Sequence, residues 1–338
     1  VRRRPALPAS AAQRRRGGVG AVKVATDKES AALAVARCLS DIEVADFVAL
    51  DLEFSGLFLN TAREGALSLD LYYKKCRDSI PHFLPLQLGI CCARHRPQAD
   101  RPPDAQGPTG AAWELRCHEF NLWPQDRRLF TADMQSLRFL RAHGFDFNAF
   151  FEHAHAYARL PRSSASGAAA AVKRLPGWHA TKVLDALRRA GVPIVVHNGL
   201  LDLLHLYDKF FGDLPETREE FAQAWLSEFR LLFDTRAIAQ EGRFQVFRNL
   251  SGGLSLEDLH RHLSALPGGL GDRQGPRLER ADAPGDGKKP ARAAHGSSAF
   301  DALLTAEVFL MEVDLWIRSA DGALPGGPQA KRRRGLQA

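Results

Sequence analysis

The sequence predicts an α/β fold, a central sheet flanked by helices, and three observations carry that expectation. Short apolar runs of strand length occur at Phe47–Phe54, Pro85–Cys92 and Ile194–His197. Helical periodicity marks residues 28–40 and 300–318. The β-branched run Ile194-Val-Val passes at once into an apolar helix expected over 199–211, the strand-to-helix succession of a layered domain. With 338 residues and 45% hydrophobic side chains, the chain can bury the core of one large domain or two small ones.

Residues 1–22 read as a disordered basic arm, rich in Arg, Ala, Pro and Gly and without apolar periodicity. Over Lys28–Ser40, Leu33, Val35 and Ala36 supply the helical spacing. The runs at 47–54 and 85–92 and a third strand at Trp113–Leu122 follow one another with no helix expected between them, which suggests an antiparallel meander. A polar, Pro-rich loop is expected at about 94–110. Residues 134–141 read as a helix stopped by His143-Gly144, since glycine readily takes the left-handed cap conformation. A soft Ala/Ser/Gly stretch makes about 160–175 a flexible insertion, and a helix at 179–190 leads through Gly191-Val-Pro into the next strand. Residues 265–294, rich in Gly, Pro and charge, are expected to form a long exposed insertion. The last helix places Leu304, Val308, Met311 and Leu315 on one face and Glu307, Asp314 and Arg318 on the other. The domain is thus expected over 23–320, with a basic tail at 321–338.

No run of about eighteen apolar residues is present, so no membrane-spanning helix is expected. The five cysteines are scattered, with neither C-x-x-C spacing nor a Cys/His cluster, and read as reduced thiols of an intracellular protein. Net charge is +7, yet the runs Arg2–Arg4, Arg14–Arg16 and Lys331–Arg334 hold ten cationic residues, so the body between them is slightly acidic. Such a body suits a site that gathers divalent cations, while the basic runs supply attraction to phosphate or a nuclear import signal. The nucleus is the expected location, with the cytoplasm as the alternative. The chain begins at Val1 rather than Met, and its Arg- and Ala-rich, acid-free start leaves an organelle presequence open.

Four acids interrupt apolar segments. Asp51 and Glu53 stand two apart in a strand, so both leave one face of the sheet. Taken alone, the pair equally fits a solvated sheet edge. Asp202 lies within Leu200-Leu-Asp-Leu-Leu, and Asp301 follows Phe300 at the buried start of a helix. A carboxylate in apolar surroundings costs several kcal/mol unless paired or bound to a cation. Four of them on elements that pack together suit a cage for two hard divalent cations, Mg²⁺ or Mn²⁺, able to activate water and stabilise the leaving oxygen of a phosphodiester. His295, six residues before Asp301, is the candidate general base, the alternative being a loop histidine ahead of a helix capped by Ser297 or Ser298. His205, one helical turn from Asp202, is expected to orient that carboxylate or to be solvated, and His197 to end a strand. Phe54 stacks on a terminal base or packs in the core, with Ser55-Gly56 turning the chain beside it.

The order Asp-Leu-Glu-Phe-Ser-Gly56, Leu-Gln-Leu-Gly89, Gly-Phe-Asp-Phe-Asn148, His-Asn-Gly-Leu-Leu-Asp-Leu204, Phe-Asp-Thr235 and Phe-Asp-Ala-Leu-Leu-Thr305 resembles the DEDD deadenylases, above all the branch of poly(A)-specific ribonuclease (PARN) and the target-of-EGR (TOE) proteins. The resemblance spans about residues 40–318. It implies a ribonuclease H-like fold with a mixed central sheet, two Mg²⁺ ions for which Mn²⁺ can substitute, and stepwise 3′-to-5′ removal of nucleotides from RNA tails with preference for adenosine. Asp51, Glu53, Asp202 and Asp301 match the four metal-binding acids, and Phe54, Ser55, Gly56, His197 and Asn198 fall where substrate contacts are expected. The family sets its histidine five residues before the last aspartate, whereas Gly296 holds that position here and His295 lies one residue earlier. No zinc finger of the TOE kind stands between Asp202 and Asp301, and there is no room for the RNA-binding domain inserted in PARN. A compact catalytic core trimming poly(A) or small nuclear RNA tails is the implied member, with a homodimer allowed. Two rivals stay open: a catalytically weak RNA-binding member, and a 3′-to-5′ DNA exonuclease, because the metal cage itself cannot tell ribose from deoxyribose.

Overall fold

The computed structural model describes residues 27–60, 67–97, 112–126, 129–160, 168–177, 179–241, 254–267, 269–270, 276–280 and 297–320. The three basic runs, His295, and most of the insertions expected near 94–110 and 265–294 lie outside the described residues.

In chain order the elements are α1 (Asp27–Glu43), β1 (Phe47–Phe54), α2 (Leu69–Ser79), β2 (Pro85–Arg96), β3 (Ala112–Pro124), α3 (Met134–Ala142), α4 (Phe147–His153), β4 (His155–Tyr157), α5 (Ala168–Lys173), α6 (Thr181–Ala190), β5 (Ile194–Val196), α7 (Leu200–Leu206), α8 (Arg218–Glu228), β6 (Leu232–Asp234), α9 (Thr235–Gln240), α10 (Leu256–Ala265), β7 (Arg277–Arg280) and α11 (Ser298–Ala320). The sheet runs β4-β3-β2-β1-β5-β6, with β7 also pairing to β3. Its β1-β2-β3 part is antiparallel, and β5, β6, β4 and β7 join in parallel. This is the mixed sheet expected, and the three apolar runs, as β2, β1 and β5, form its centre.

Three differences concern segments between strands, one of them α5, a short helix within the stretch 160–175 expected to be a flexible insertion. A helix, α2, stands between β1 and β2 where none was expected; its Leu69 and Leu71 are exposed while Tyr73, Cys76 and Ser79 are buried, so its apolar stripe is blurred in sequence. Within the polar stretch 265–294, Arg277–Arg280 forms β7 along the first residues of β3. Edge strands tolerate charge, so polarity did not exclude pairing there. The helix expected over 199–211 is α7 for its first half and a π-helical turn over Tyr207–Phe211, a variation often found near functional sites.

Alternation along β1 divides the molecule into two layers. Leu50 and Leu52 enter the larger core with Val35 and Cys38 of α1, Val183 and Leu184 of α6, and Leu204 of α7. Phe47 and Ala49 enter a second core with Val195 of β5 and Ala302, Ala306, Phe309 and Leu310 of α11. Asp51 and Glu53 continue the second series, so they emerge on the layer that carries α11. The opposite side of α11 is covered by α10, where Leu259 and Leu263 meet Val308, Met311 and Leu315. Glu307, expected on a solvent face, is therefore fully buried and paired with His260 of α10 at 2.7 Å.

Candidate active site

Asp51, Glu53 and Asp301 each place a carboxylate oxygen within 4.8 Å of the other two. The strand accounts for the first pair and the docking of α11 for the third. On β2, Gly89 lies opposite Asp51 and Gln87 opposite Glu53, and on β3 Glu119 and Asn121 continue the two rows. The first turn of α11 rests on this patch: Gln87 accepts from the backbone N–H and the hydroxyl of Ser298, both at 3.0 Å, and Ser297 donates its hydroxyl to Glu119. The serine hydroxyls expected to cap the helix thus bind strand residues instead.

Asp202 joins from a third element. β5 ends at Val196, and beyond it the N–H of Leu52 on β1 donates to Asp202 Oδ1 at 2.9 Å. The turn that delivers Asp202 is built by Asn198, whose φ of 54° lies in the left-handed region that asparagine tolerates better than most residues. Asp234 fixes this turn, accepting from the N–H groups of Asn198 and Gly199 while capping α9 through Arg236 and Ala237.

Proton affinities follow from this crowding. Burial pushes the Asp51 carboxyl well above its usual range, with Asp202, Asp301 and Glu53 adding repulsion. Burial likewise raises Glu53 to about 8, helped by Asp301, Asp202 and the exposed Glu119. Asp202 is raised to about 7 by burial, although its own backbone N–H and that of Leu52 oppose the shift. Among the described residues no lysine or arginine pairs with Asp51, Glu53 or Asp202. Asp51, Glu53 and Asp202, which repel one another and have no cationic partner among the described residues, fit Mg²⁺ or Mn²⁺ better than they fit a protein ion pair.

The neighbouring candidates divide. Ser55 is wholly buried, its hydroxyl donating to the Thr131 carbonyl and accepting from Leu84 N–H, so its side chain anchors the strand end. Gly56 is buried as well, because a Cβ there would lie 2.4 Å from the Phe83 ring. Phe54, one alternative for which was stacking on a base, stacks on His205 with ring centroids 4.3 Å apart and packs against the larger core. His205 is fully buried rather than solvated, and its stack with Phe54, not a bond to Asp202, defines its place. His197 has both ring nitrogens occupied, by Thr235 Oγ1 at 2.8 Å and the Leu254 carbonyl at 3.1 Å, and burial lowers its proton affinity. Asn198 remains exposed beside the acids' turn. Gln87 and Asp234 entered the sequence analysis only inside the Leu-Gln-Leu-Gly89 and Phe-Asp-Thr235 motifs and without a role, although a lone polar residue within the apolar Pro85–Cys92 run was a signal for the first.

The zebrafish (Danio rerio) poly(A)-specific ribonuclease PARN is 33% identical over 87 residues, 26% of this chain and 13% of that protein. The human poly(A)-specific ribonuclease PNLDC1 is 44% identical over 55 residues, 16% of this chain and 11% of that protein. The alignments thus span about an eighth or less of these curated relatives. Among solved structures, S. pombe Pop2p in its Mg²⁺- and Mn²⁺-bound form superposes with a TM-score of 0.53 at 17% identity, covering 86% of this chain and 90% of that one. The RNase domain of yeast Pop2 gives 0.51 at 16% identity over 86% and 85%. These likenesses establish a shared ribonuclease H-like α/β fold. The family model for CAF1 family ribonuclease matches residues 27–174 and 169–309, most of the chain, and the protein accordingly belongs to this family of DEDD-type ribonucleases.

Proposed function

We propose that this chain is a metal-dependent 3′-to-5′ exoribonuclease that shortens RNA tails, oligo(A) above all, with Asp51, Glu53, Asp202 and Asp301 as its cation ligands. The observation that carries the reading is the convergence of these four carboxylates, carried by β1, α7 and α11. The metal-bound form of the Pop2p relative and the poly(A)-specific relatives support it.

When bound, a pair of divalent cations would supply the Lewis acidity that polarises a phosphodiester and eases ionisation of an attacking water. The remaining work falls to the chain. β1 holds two ligands on one face at fixed spacing. Leu52 N–H orients Asp202, and the seat on β2 and β3 orients Asp301. Because Glu53 and Asp202 hold protons up to about 8 and about 7, cation binding must release protons and strengthens as pH rises through that range. Asn198 is the exposed candidate for contact with RNA, and His295 the proposed acceptor of the water's proton.

The test is incubation of the full chain with 3′-extended oligo(A) and a matched DNA strand, each in Mg²⁺ and in EDTA. Stepwise shortening of the RNA from its 3′ end in Mg²⁺, arrested by EDTA, is the expected result. Shortening that ignores EDTA, or none in any condition, overturns the proposal, and preferential digestion of the DNA reassigns the substrate.

A further inference from the structure

The acids of β1 and the acid of α11 are 250 residues apart in sequence at Asp51 and Asp301, and one uncharged side chain sits between the elements that carry them. Gln87 faces Glu53 across the β1–β2 register and leaves the sheet on the same side. It is 6% exposed, and both ends of its amide are occupied. The oxygen accepts from Ser298 N–H and Ser298 Oγ at 3.0 Å each, and the nitrogen donates to Asn121 Oδ1 at 3.1 Å. The backbone N–H can only donate, so this orientation of the amide follows from its partners.

The first N–H groups of a helix have no partner within it, and a side-chain oxygen normally supplied by the preceding residue fills that need. In α11 the oxygen comes from a strand more than two hundred residues away. A cap of this kind does more than satisfy a donor, because it ties the helix start to a chosen position on the sheet. Asp301 lies three residues beyond Ser298, within the same turn. Gly89, with no side chain, lets the helix backbone come down onto the strand, and its position along the strand is then held by the two Gln87 bonds together with the Ser297–Glu119 bond.

We propose, resting on the ribonuclease reading above, that Gln87 is a positioning residue that sets the separation of Asp301 from Asp51 and Glu53, and thereby the affinity of the site for divalent cations, without touching cation or RNA. A ligand cage tolerates little error, and loss of a group that orients a ligand typically weakens metal binding or turnover ten- to a hundredfold. A residue that only satisfied buried polar groups would instead lower stability and leave cation affinity as it was.

The two roles separate in Gln87→Met, which keeps length and approximate volume but removes both hydrogen-bonding ends. Mn²⁺ binding to the full chain is measured by calorimetry, alongside melting temperature in EDTA and steady-state turnover of oligo(A). The expected result is Mn²⁺ affinity about tenfold to a hundredfold weaker, turnover at fixed subsaturating Mg²⁺ lowered to match, and KM for oligo(A) within about twofold of wild type. Ser298→Ala removes one of the two donors and leaves the backbone bond, so it folds more readily and should weaken Mn²⁺ binding by a smaller factor, about threefold to tenfold. Wild-type Mn²⁺ affinity in Ser298→Ala together with wild-type affinity or no folded protein in Gln87→Met overturns the positioning role. If the wild-type chain itself binds no Mn²⁺, the ribonuclease reading falls and this inference with it, an outcome distinct from a wild type that binds while the variants match it.

Discussion

A methyl group added to Gly89 would lie 2.0 Å from the carbonyl carbon and from the carbonyl oxygen of Ser298. No flexible side chain is there to move aside: the clash is with the backbone of the helix that carries Asp301. The contact also explains why a glycine stands in the middle of a central strand, where the lack of a side chain ordinarily weakens pairing.

Gly89→Ala is therefore expected to lift the first turn of α11 from the sheet. The cost should fall in the overpacking range of about 1–3 kcal/mol, read as a lower melting temperature, together with loss of turnover on oligo(A) larger than the stability change explains. An alanine variant with wild-type turnover would mean that the seat of α11 is softer than its geometry indicates.

Asp51→Asn and Asp202→Asn should each lower turnover by about a hundredfold to ten-thousandfold, because each removes an anionic ligand while retaining shape. In EDTA the same variants should melt at or above the wild-type temperature. Burial and mutual repulsion already raise both carboxyls, so an amide relieves unfavourable charge when no cation is present. Added Mg²⁺ should then stabilise wild type more than either variant. Turnover near wild type in either protein would end the four-carboxylate reading.

The sequence and the structure agree where one local signal decides the matter. β1 and β2 are buried runs, and Asp51, Glu53, Asp202 and Asp301 are acids in apolar company, so each was visible without knowledge of its neighbours. What escaped depends on pairing. Glu307 looks like a surface residue until His260 on α10 is laid beside it. Ser55 looks like a loop contact until Thr131 and Leu84 claim its hydroxyl. Gln87 gains its meaning from Ser298, 211 positions later, and from Asn121 on a third strand, a relationship that no local period encodes.

Phe54 and His205 test another such pairing. The rings lie 4.3 Å apart at 26°, and burial holds the imidazole well below its usual proton affinity, with Lys209 adding to the effect. Phe54→Leu should lower stability by about 1–2 kcal/mol through the lost stack and a partly filled cavity, with KM for oligo(A) within about twofold of wild type. Weaker RNA binding at unchanged melting temperature would return the ring to the substrate.

A further pH-dependent element on α11 is a carboxyl outside the four site acids. Glu312 on α11 is 1% exposed, neither carboxyl oxygen has a hydrogen-bond partner among the described residues, and burial, with Asp234 adding repulsion, raises it to about 9. An unfolded glutamate ionises near 4.3, so the folded state holds a proton that the unfolded state has lost between about pH 4 and pH 9. The sign follows: stability is full below the unfolded value and falls as pH rises through the folded one. Each pH unit in that window costs about 1.4 kcal/mol at most, which amounts to a few kcal/mol at neutral pH. Glu312→Gln keeps the shape and cannot ionise, so its melting temperature should match wild type near pH 4.5 and exceed it by a margin that widens up to about pH 9. Measuring both proteins in EDTA and taking the difference cancels the contribution of the site carboxylates, which the two share. A difference that stays constant with pH would show that Glu312 is already charged in the folded protein and that a partner stabilises it.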